Sequence, residues 1–153
     1  MEGFEVTKIG KHIFCILDAG NSSFYMVEGD KKAAVIDTGI TTGKKITPLL
    51  RELTDKPLLL VATHVHCDHI YHMDEFEEVY MCHDEKKIEE TTLRTLTAGR
   101  LKPWDEIHDI HTDSVISLGG TELRICQVPG HTPGSIVILE TRENYLFTGD
   151  AIG

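Results

Sequence analysis

Four side chains able to bind a metal ion lie within six residues of one another, namely His64, His66, Asp68 and His69. In an extended backbone, residues two positions apart point to the same side, so His64 and His66 can both reach one ion at about 2.0–2.1 Å. Asp68 and His69 are adjacent and diverge, which suits a second ion close to the first. A mixed set of imidazoles and carboxylates suits zinc, iron or manganese.

The element that must position these side chains is the apolar run directly before them. Leu58-Leu59-Leu60-Val61-Ala62 follows Pro57, and a short continuous apolar run of this kind predicts a buried strand. The ligands therefore begin where a strand ends and a loop starts. The alternative is a histidine-rich surface loop without a metal.

Three motifs carry a resemblance to a known family. Thr63-His64-Val65-His66-Cys67-Asp68-His69 resembles the Thr-His-x-His-x-Asp-His signature of the metallo-β-lactamase fold superfamily, whose members are mostly hydrolases built around one or two metal ions. Gly130-His131-Thr132-Pro133-Gly134-Ser135 resembles the Gly-His-Thr-x-Gly-Ser segment of that superfamily, and Thr148-Gly149-Asp150 resembles its Thr-Gly-Asp motif. The three occur in the expected order.

The resemblance implies a role for six residues. A first metal ion would be held by His64, His66 and His131. A second would be held by Asp68 and His69, and Asp150 would bridge the two ions. Zinc is the expected metal, with iron or manganese as alternatives.

The implied activity is that of a metal-dependent hydrolase. A water held by the ions would lose its proton near neutral pH, and Asp68 would orient it for attack. The substrate would be a small molecule carrying an ester, thioester, lactone or amide bond, and the residues do not decide among these. Two alternatives remain: a mononuclear iron dioxygenase of the same superfamily, and a non-catalytic binding or assembly module if the chain is naturally truncated.

The resemblance also implies an α/β fold, the αββα sandwich of the superfamily. The 153 residues, 41% of them hydrophobic, suffice for one core and one domain. Relatives continue beyond the Thr-Gly-Asp motif and supply a last histidine, whereas this chain ends three residues after it. We therefore expect residues 1–153 to be an incomplete domain, the N-terminal half of the sandwich plus the first strands of the second half.

Composition restricts the partners. The net charge of −10, without a basic run longer than two residues, would repel a nucleic-acid backbone. The amino terminus lacks the pattern of a signal peptide, and no apolar window is long enough for a membrane span, so we predict a soluble cytoplasmic protein. The four cysteines form no Cys-x-x-Cys pair, which favours reduced thiols, and Cys15, Cys82 and Cys126 are expected to be core residues.

Apolar runs and turn residues predict the remaining elements. Strands are expected at 12–18, 23–28, 33–37, 58–62, 79–82, 115–118, 122–128, 136–139 and 145–147. A first helix is expected either from Pro48 with Thr47 as N-cap or from Thr42 with a distorted first turn. Two more are expected over 70–76 and from Asp84 to Gly99 at the latest. Gly119-Gly120 predicts a hairpin turn.

Three further side chains each have two interpretations. Asp37, in a segment that resembles the superfamily's Asp-Thr-Gly turn, either orients the ligand loop or simply ends a strand. His72 is either a surface histidine or a proton shuttle or extra ligand. Trp104 either lines a substrate pocket or is a rim or core aromatic.

The last two predicted strands point to association. Ile136-Val137-Ile138-Leu139 and Tyr145-Leu146-Phe147-Thr148 have almost no polar alternation, although a strand exposed on one face normally alternates. In the complete fold they would pack against elements that this chain does not contain. We therefore predict a homo-oligomer with these strands at the contact.

Overall fold

The computed structural model describes residues 2–152, which form two β-sheets that face each other, with helices on one outer face. The strands are β1 Phe4–Lys8, β2 Ile13–Asp18, β3 Ser23–Glu28, β4 Ala33–Ile36, β5 Leu58–Val61, β6 Val79–Met81, β7 His108–Asp109, β8 Val115–Ser117, β9 Glu122–Gln127, β10 Ile136–Glu140 and β11 Tyr145–Phe147. The α-helices are α1 Thr47–Leu53, α2 Cys67–Ile70 and α3 Glu90–Leu96, and short 3-10 turns occur at Met73–Glu75, His83–Lys87 and Trp104–Glu106. No helix in this described part is long and apolar enough to cross a membrane.

Within residues 2–152 the strands form a seven-stranded sheet, in the order β1 to β7, and a four-stranded sheet, in the order β11-β10-β9-β8. Strands β1 to β4 make an antiparallel meander, whereas β4 to β7 are parallel. Parallel neighbours need a crossover connection, and α1 supplies the one between β4 and β5. The chain enters the histidine-rich loop at the C-terminal end of β5.

The larger sheet is buried on both faces at β5, which explains the continuous apolar run in this strand. Leu60 packs with α1 and α2 in one core cluster, whereas Leu59 and Val61 pack with the smaller sheet in the other. All three side chains are completely buried. Burial of one such side chain stabilises the fold by about 1.5–3 kcal/mol relative to exposure. The strand before the ligand loop is therefore held from both sides.

The predicted α/β sandwich fold is confirmed, and most strands lie within two residues of their expected bounds. Two strands were missed. In β1 half-buried side chains alternate with exposed ones, as suits an edge strand with a weak apolar signal. The strand β7 has only two residues, both exposed, and its sequence carries no strand pattern.

The single helix predicted from Asp84 is wrong. The chain instead makes a 3-10 turn over His83–Lys87, becomes extended at Ile88 and starts α3 at Glu90. Glu89 caps this helix by accepting hydrogen bonds from the backbone N–H groups of Thr91 and Thr92. The break occurs where Glu85 turns fully inward, away from any helix surface.

The helix α1 has proline in its first turn, as expected, but Thr47 is not its N-cap. The carboxylate of Glu75 takes that role from a distant turn. It accepts the backbone N–H groups of Ile46 and Thr47 and the Thr47 hydroxyl, at 2.5–3.1 Å. A helix start can thus be capped by a residue that local sequence does not indicate.

The strands β10 and β11 alternate in burial although not in polarity. Ile136, Ile138 and Phe147 are buried between the sheets, whereas Leu139 and Leu146 are exposed and lie opposite each other in the register. Val115 of β8 is also exposed on this outer face. In β10 and β11 the apolar side chains on only one face are therefore exposed, so less apolar surface is uncovered than the sequence alone predicted.

The cysteines are all free, but they are less buried than expected. Cys82 lies in the core, Cys15 is half-buried and Cys126 is exposed on the smaller sheet. The prediction of three core cysteines is thus right only for Cys82. Cys126 alternates with buried Ile125 along β9, and this alternation explains its exposure.

Asp18 ties together two loops that flank the larger sheet. Its Oδ1 accepts the N–H groups of Gly20 and Ser22 at 2.8 and 3.0 Å, and its Oδ2 accepts those of Ile40 and Thr41 at 2.7 and 3.0 Å. Burial raises the pKa of this carboxyl, but the four hydrogen bonds outweigh it and the pKa is lowered. The segment that follows Asp37 is thereby fixed to the β2–β3 turn.

Candidate metal centre

Four side chains converge at one end of the two sheets. One ligand atom from each of His64, His66, His131 and Asp150 lies within 4.8 Å of all the others. His66 Nδ1 is 3.1 Å from His64 Nε2 and 3.0 Å from His131 Nε2. Nitrogens placed tetrahedrally at metal-bond length are about 3.3 Å apart. The spacing of this donor set therefore fits a single divalent metal ion.

The ligand atoms come from both sheets. His64 and His66 lie in the loop after β5 of the larger sheet, His131 lies in the turn between β9 and β10, and Asp150 follows β11. His64 is buried, whereas His131 and Asp150 are exposed, so one side of the cluster faces solvent. A substrate can approach from that side.

A second group of donors adjoins the first. His69 Nε2 lies 3.5 Å from Asp68 Oδ2 and 3.4 Å from Asp150 Oδ2. Asp68 and His69 sit in α2, the single turn that follows the loop. Asp150 thus contacts both groups, since its Oδ2 is also 3.5 Å from His131 Nε2.

Asp37 anchors the loop from beneath. It is buried, has a φ of 61°, and accepts the Thr63 backbone N–H on Oδ1 at 2.7 Å. Its Oδ2 accepts the Thr63 hydroxyl and His69 Nδ1–H, both at 2.8 Å. One carboxylate therefore fixes the start of the loop and the ring orientation of His69, as carboxylates behind metal-binding histidines commonly do.

Thr63 extends this network to His64. Because the Thr63 hydroxyl donates to Asp37, its oxygen is left to accept a hydrogen bond from His64 Nδ1–H, with 3.1 Å between the heavy atoms. The network thus assigns the proton of His64 to Nδ1. Its Nε2 lone pair then points into the cluster, as metal coordination requires.

Burial and mutual repulsion keep two of the rings neutral. Burial, followed by the nearby His69, His66 and His131 rings, lowers the pKa of His64 to about 2. The pKa of His66 is also lowered, first by burial and then by His131. Neutral imidazole is the form that binds a metal, so these residues need not release a proton on binding.

His69 differs because of Asp37. Burial lowers its pKa, but the hydrogen bond and the charge of Asp37, with further contributions from Asp68 and Asp150, raise the pKa to about 9. Asp37 holds the proton on Nδ1. An ion bound at Nε2 would replace the other proton.

A cavity of about 270 Å³ opens beside the cluster. Asp37, His69 and Asp150 form its polar end. Its remaining wall is mainly apolar, with Ile9, Tyr25, Ile36, Tyr145, Leu146 and Phe147 among its members. This shape suits a molecule with an apolar group next to the bond that reacts.

Two other candidates lie elsewhere. His72 is buried, and its Nδ1 pairs with Glu75 Oε1 at 2.8 Å, so it is neither a surface residue nor part of the cluster. Trp104 stacks edge-on against His83, with their ring centroids 5.2 Å apart, and packs against the helix-side core. It is a rim aromatic and does not line the cavity beside the cluster.

Two residues of the site were missed by sequence reasoning. Thr63 is the first residue of the ligand motif, so the motif indicated its position. Its hydrogen bonds to both His64 and Asp37, however, depend on the folded geometry. Glu85 contacts both ligand loops from positions 20 and 49 residues away in sequence. No local pattern indicates such a contact.

Known proteins similar to this chain identify its family and share its fold. Residues 17–153 match the family model of the metallo-beta-lactamase superfamily. The chain is 28% identical over 190 residues to the human protein named acyl-coenzyme A thioesterase MBLAC2, covering 99% of this chain and 67% of that protein. It is 32% identical over 145 residues to the probable metallo-hydrolase MJ0888 of Methanocaldococcus jannaschii, covering 86% of this chain and 68% of that protein.

A similar solved structure is BJP-1, a subclass B3 metallo-β-lactamase of Bradyrhizobium japonicum. The TM-score is 0.73 at 20% sequence identity, and the match covers 95% of this chain. The chain spans 62% of the length of that structure. This likeness concerns the fold alone.

Proposed function

This chain belongs to the metallo-β-lactamase superfamily, and from that membership we propose that it is a metal-dependent hydrolase of thioesters. The observation that carries the proposal is the cluster of three histidine nitrogens and the Asp150 carboxylate. The similarity of the chain to a protein named acyl-coenzyme A thioesterase supports a thioester as the substrate class. The cavity with an apolar wall beside the cluster supports an acyl group as part of that substrate.

The proposed metal ligands are the residues that converge in the structure. His64, His66 and His131 would hold a first ion, Asp68 and His69 a second, and Asp150 would lie between them. Zinc is the proposed metal, with iron and manganese as alternatives, because imidazole with carboxylate suits all three. When bound, such an ion supplies an activated water at neutral pH and polarises the carbonyl oxygen of the substrate.

The chain's own groups would orient the reactants. The side chain of Asp68 is 42% exposed, so its carboxylate is free to accept a hydrogen bond from the attacking water. Asp37 and Thr63 hold the rings of His69 and His64 in place. The acyl group would pack against Tyr25, Tyr145 and Phe147 in the adjoining cavity, which excludes water from one side of the thioester.

Hydrolysis of an acyl-coenzyme A by the zinc-loaded protein tests the proposal, with release of the free thiol as the readout. We expect turnover that a chelator removes and added Zn²⁺ restores, and slower hydrolysis of a matched oxygen ester, a lactone and a β-lactam. A preference for one of these would overturn the thioester assignment. Retained iron with oxygen uptake would indicate a dioxygenase, and tight metal binding without any turnover a binding module.

We also propose that the chain associates with a second copy through the outer face of the smaller sheet. Leu139 and Leu146 lie side by side there, and Val115 occupies the same row across Arg124. Adjacent exposed apolar side chains favour burial in an interface. Light scattering at micromolar concentration should give a molecular mass of at least twice 17.1 kDa. Replacement of Leu139 and Leu146 by serine should reduce this mass. A measured mass of 17.1 kDa for the parent protein would contradict the proposed association.

The proposed partner in the reaction is a small molecule. A cytoplasmic location and the lack of a nucleic-acid partner both stay predictions from composition. The net charge of −10 is the feature on which the second of them rests.

A further inference from the structure

Glu85 is a completely buried carboxylate in the 3-10 turn that follows β6. Within residues 2–152 it forms no ion pair with a lysine or arginine. Burying a carboxylate without a cation is costly unless hydrogen bonds replace its hydration. The partners of Glu85 must therefore account for its position.

Those partners are the two loops that carry the histidines. Glu85 Oε2 accepts the backbone N–H of Val65 at 2.7 Å, and Oε1 accepts that of Gly134 at 2.6 Å. Val65 separates His64 from His66, and Gly134 follows His131 by three residues. One side chain thus connects the loop of the larger sheet to the loop of the smaller sheet.

The approach of the second loop to Glu85 is close enough to require glycine. A Cβ atom on Gly134 would lie 2.5 Å from Glu85 Cγ and 2.8 Å from the Glu85 backbone nitrogen. Any side chain at position 134 would therefore push this loop away. Next to the contact, the Ile136 N–H donates to the Thr63 carbonyl oxygen at 3.0 Å and joins the same two loops.

We propose that Glu85 is a positioning residue that sets the spacing between the His64–His66 loop and the His131 loop. It would thereby determine the affinity and geometry of the three-histidine metal site without touching the ion. Each carboxylate oxygen accepts one N–H from one loop, so the distance between the two oxygens limits the distance between the loops. The inference rests on the proposed role of these histidines as metal ligands.

The substitution Glu85→Gln tests the proposal with little change in volume. A carboxamide keeps one acceptor oxygen, but its NH₂ group then faces a backbone N–H that has lost its acceptor. We expect Zn²⁺ binding, measured by competition with a chromophoric chelator, to weaken about 10–100-fold, the range seen when partners of metal ligands are removed. The visible absorption spectrum of the Co²⁺-saturated variant should also differ from that of the parent, because the ligand geometry changes.

Glu140→Gln is the matched control. Glu140 is also a buried glutamate, and it accepts the N–H groups of Arg142 and Glu143 at 3.0 and 2.8 Å, in the turn between β10 and β11. Its loss should cost folding stability in the same way, but the Zn²⁺ affinity and the Co²⁺ spectrum should match those of the parent.

The outcomes separate the possibilities. Parent-like Zn²⁺ affinity in Glu85→Gln, or an equal loss in Glu140→Gln, would overturn the inference. If Glu85→Gln does not fold, Gly134→Ala decides, since it displaces the loop from an intact Glu85 and should weaken Zn²⁺ binding in the same direction. Failure of the parent chain to bind Zn²⁺ would instead remove the proposed function, which is a distinct result.

Discussion

Replacement of His131 by alanine is expected to weaken Zn²⁺ binding by more than about 100-fold, since loss of a mere partner of a ligand already costs about 10–100-fold. His131 Nε2 contributes one corner of the nitrogen cluster, 3.0 Å from His66 Nδ1, and it is the histidine that the smaller sheet supplies to that cluster. Thioester hydrolysis should fall with the metal. Metal content per chain after dialysis and a chelator competition measure the effect.

His111→Ala provides the control for a histidine outside the site. His111 is exposed, and its ring contacts only the neighbouring Thr112 carbonyl among the hydrogen bonds of the described residues. Its removal should leave metal content unchanged. If His131→Ala retained the parent's zinc after dialysis, the assignment of His131 as a ligand would be wrong.

Asp37→Asn is expected to act on both stability and metal binding. The carboxylate accepts three hydrogen bonds, from the Thr63 N–H, the Thr63 hydroxyl and His69 Nδ1–H, and a carboxamide cannot accept all of them. We expect a loss of about 2–4 kcal/mol in the free energy of unfolding, because hydrogen bonds to a buried charge are involved. Zn²⁺ affinity should fall about 10–100-fold. Asparagine tolerates the positive φ at this position, so backbone strain will not contribute.

Asp18→Asn separates the two effects. Asp18 is buried to the same degree and accepts four backbone N–H groups, from the β2–β3 turn and from Ile40 and Thr41, but it bonds neither Thr63 nor a histidine of the cluster. Urea unfolding should show a similar loss of stability in both variants. Chelator competition should show weaker metal binding only in Asp37→Asn, and weakening of equal size in both would refute the specific role of Asp37.

The sequence alone placed two of the clustered side chains together, because their chemistry and the local pattern coincide. His64 and His66 are two residues apart after an apolar strand, so both their type and their orientation follow from the chain itself. His131 and Asp150 were placed only through the resemblance, since a histidine or aspartate in a turn has no meaning alone. The structure brings all four together, although their role as ligands stays a prediction.

The contacts that sequence reasoning missed are long-range ones. Glu85 fell in the first turn of the helix predicted from Asp84, where acidic residues are favourable, yet its hydrogen bonds to two distant loops outweigh that preference. Ile138 is buried and Leu139 is exposed, although both are aliphatic. The difference arises because the larger sheet covers only one face of the smaller one. Such choices depend on packing partners that no window of local sequence contains.

The division of the cluster between two sheets has a consequence for synthesis of the protein on the ribosome. The larger sheet is made from the first part of the chain and can form while the rest is still being translated, since its strands are all contiguous in sequence. At that stage the nascent chain carries His64 and His66 but neither His131 nor Asp150. With the proposed ligands, stable loading of the first metal ion must therefore wait until the smaller sheet has been translated and has docked on the larger one.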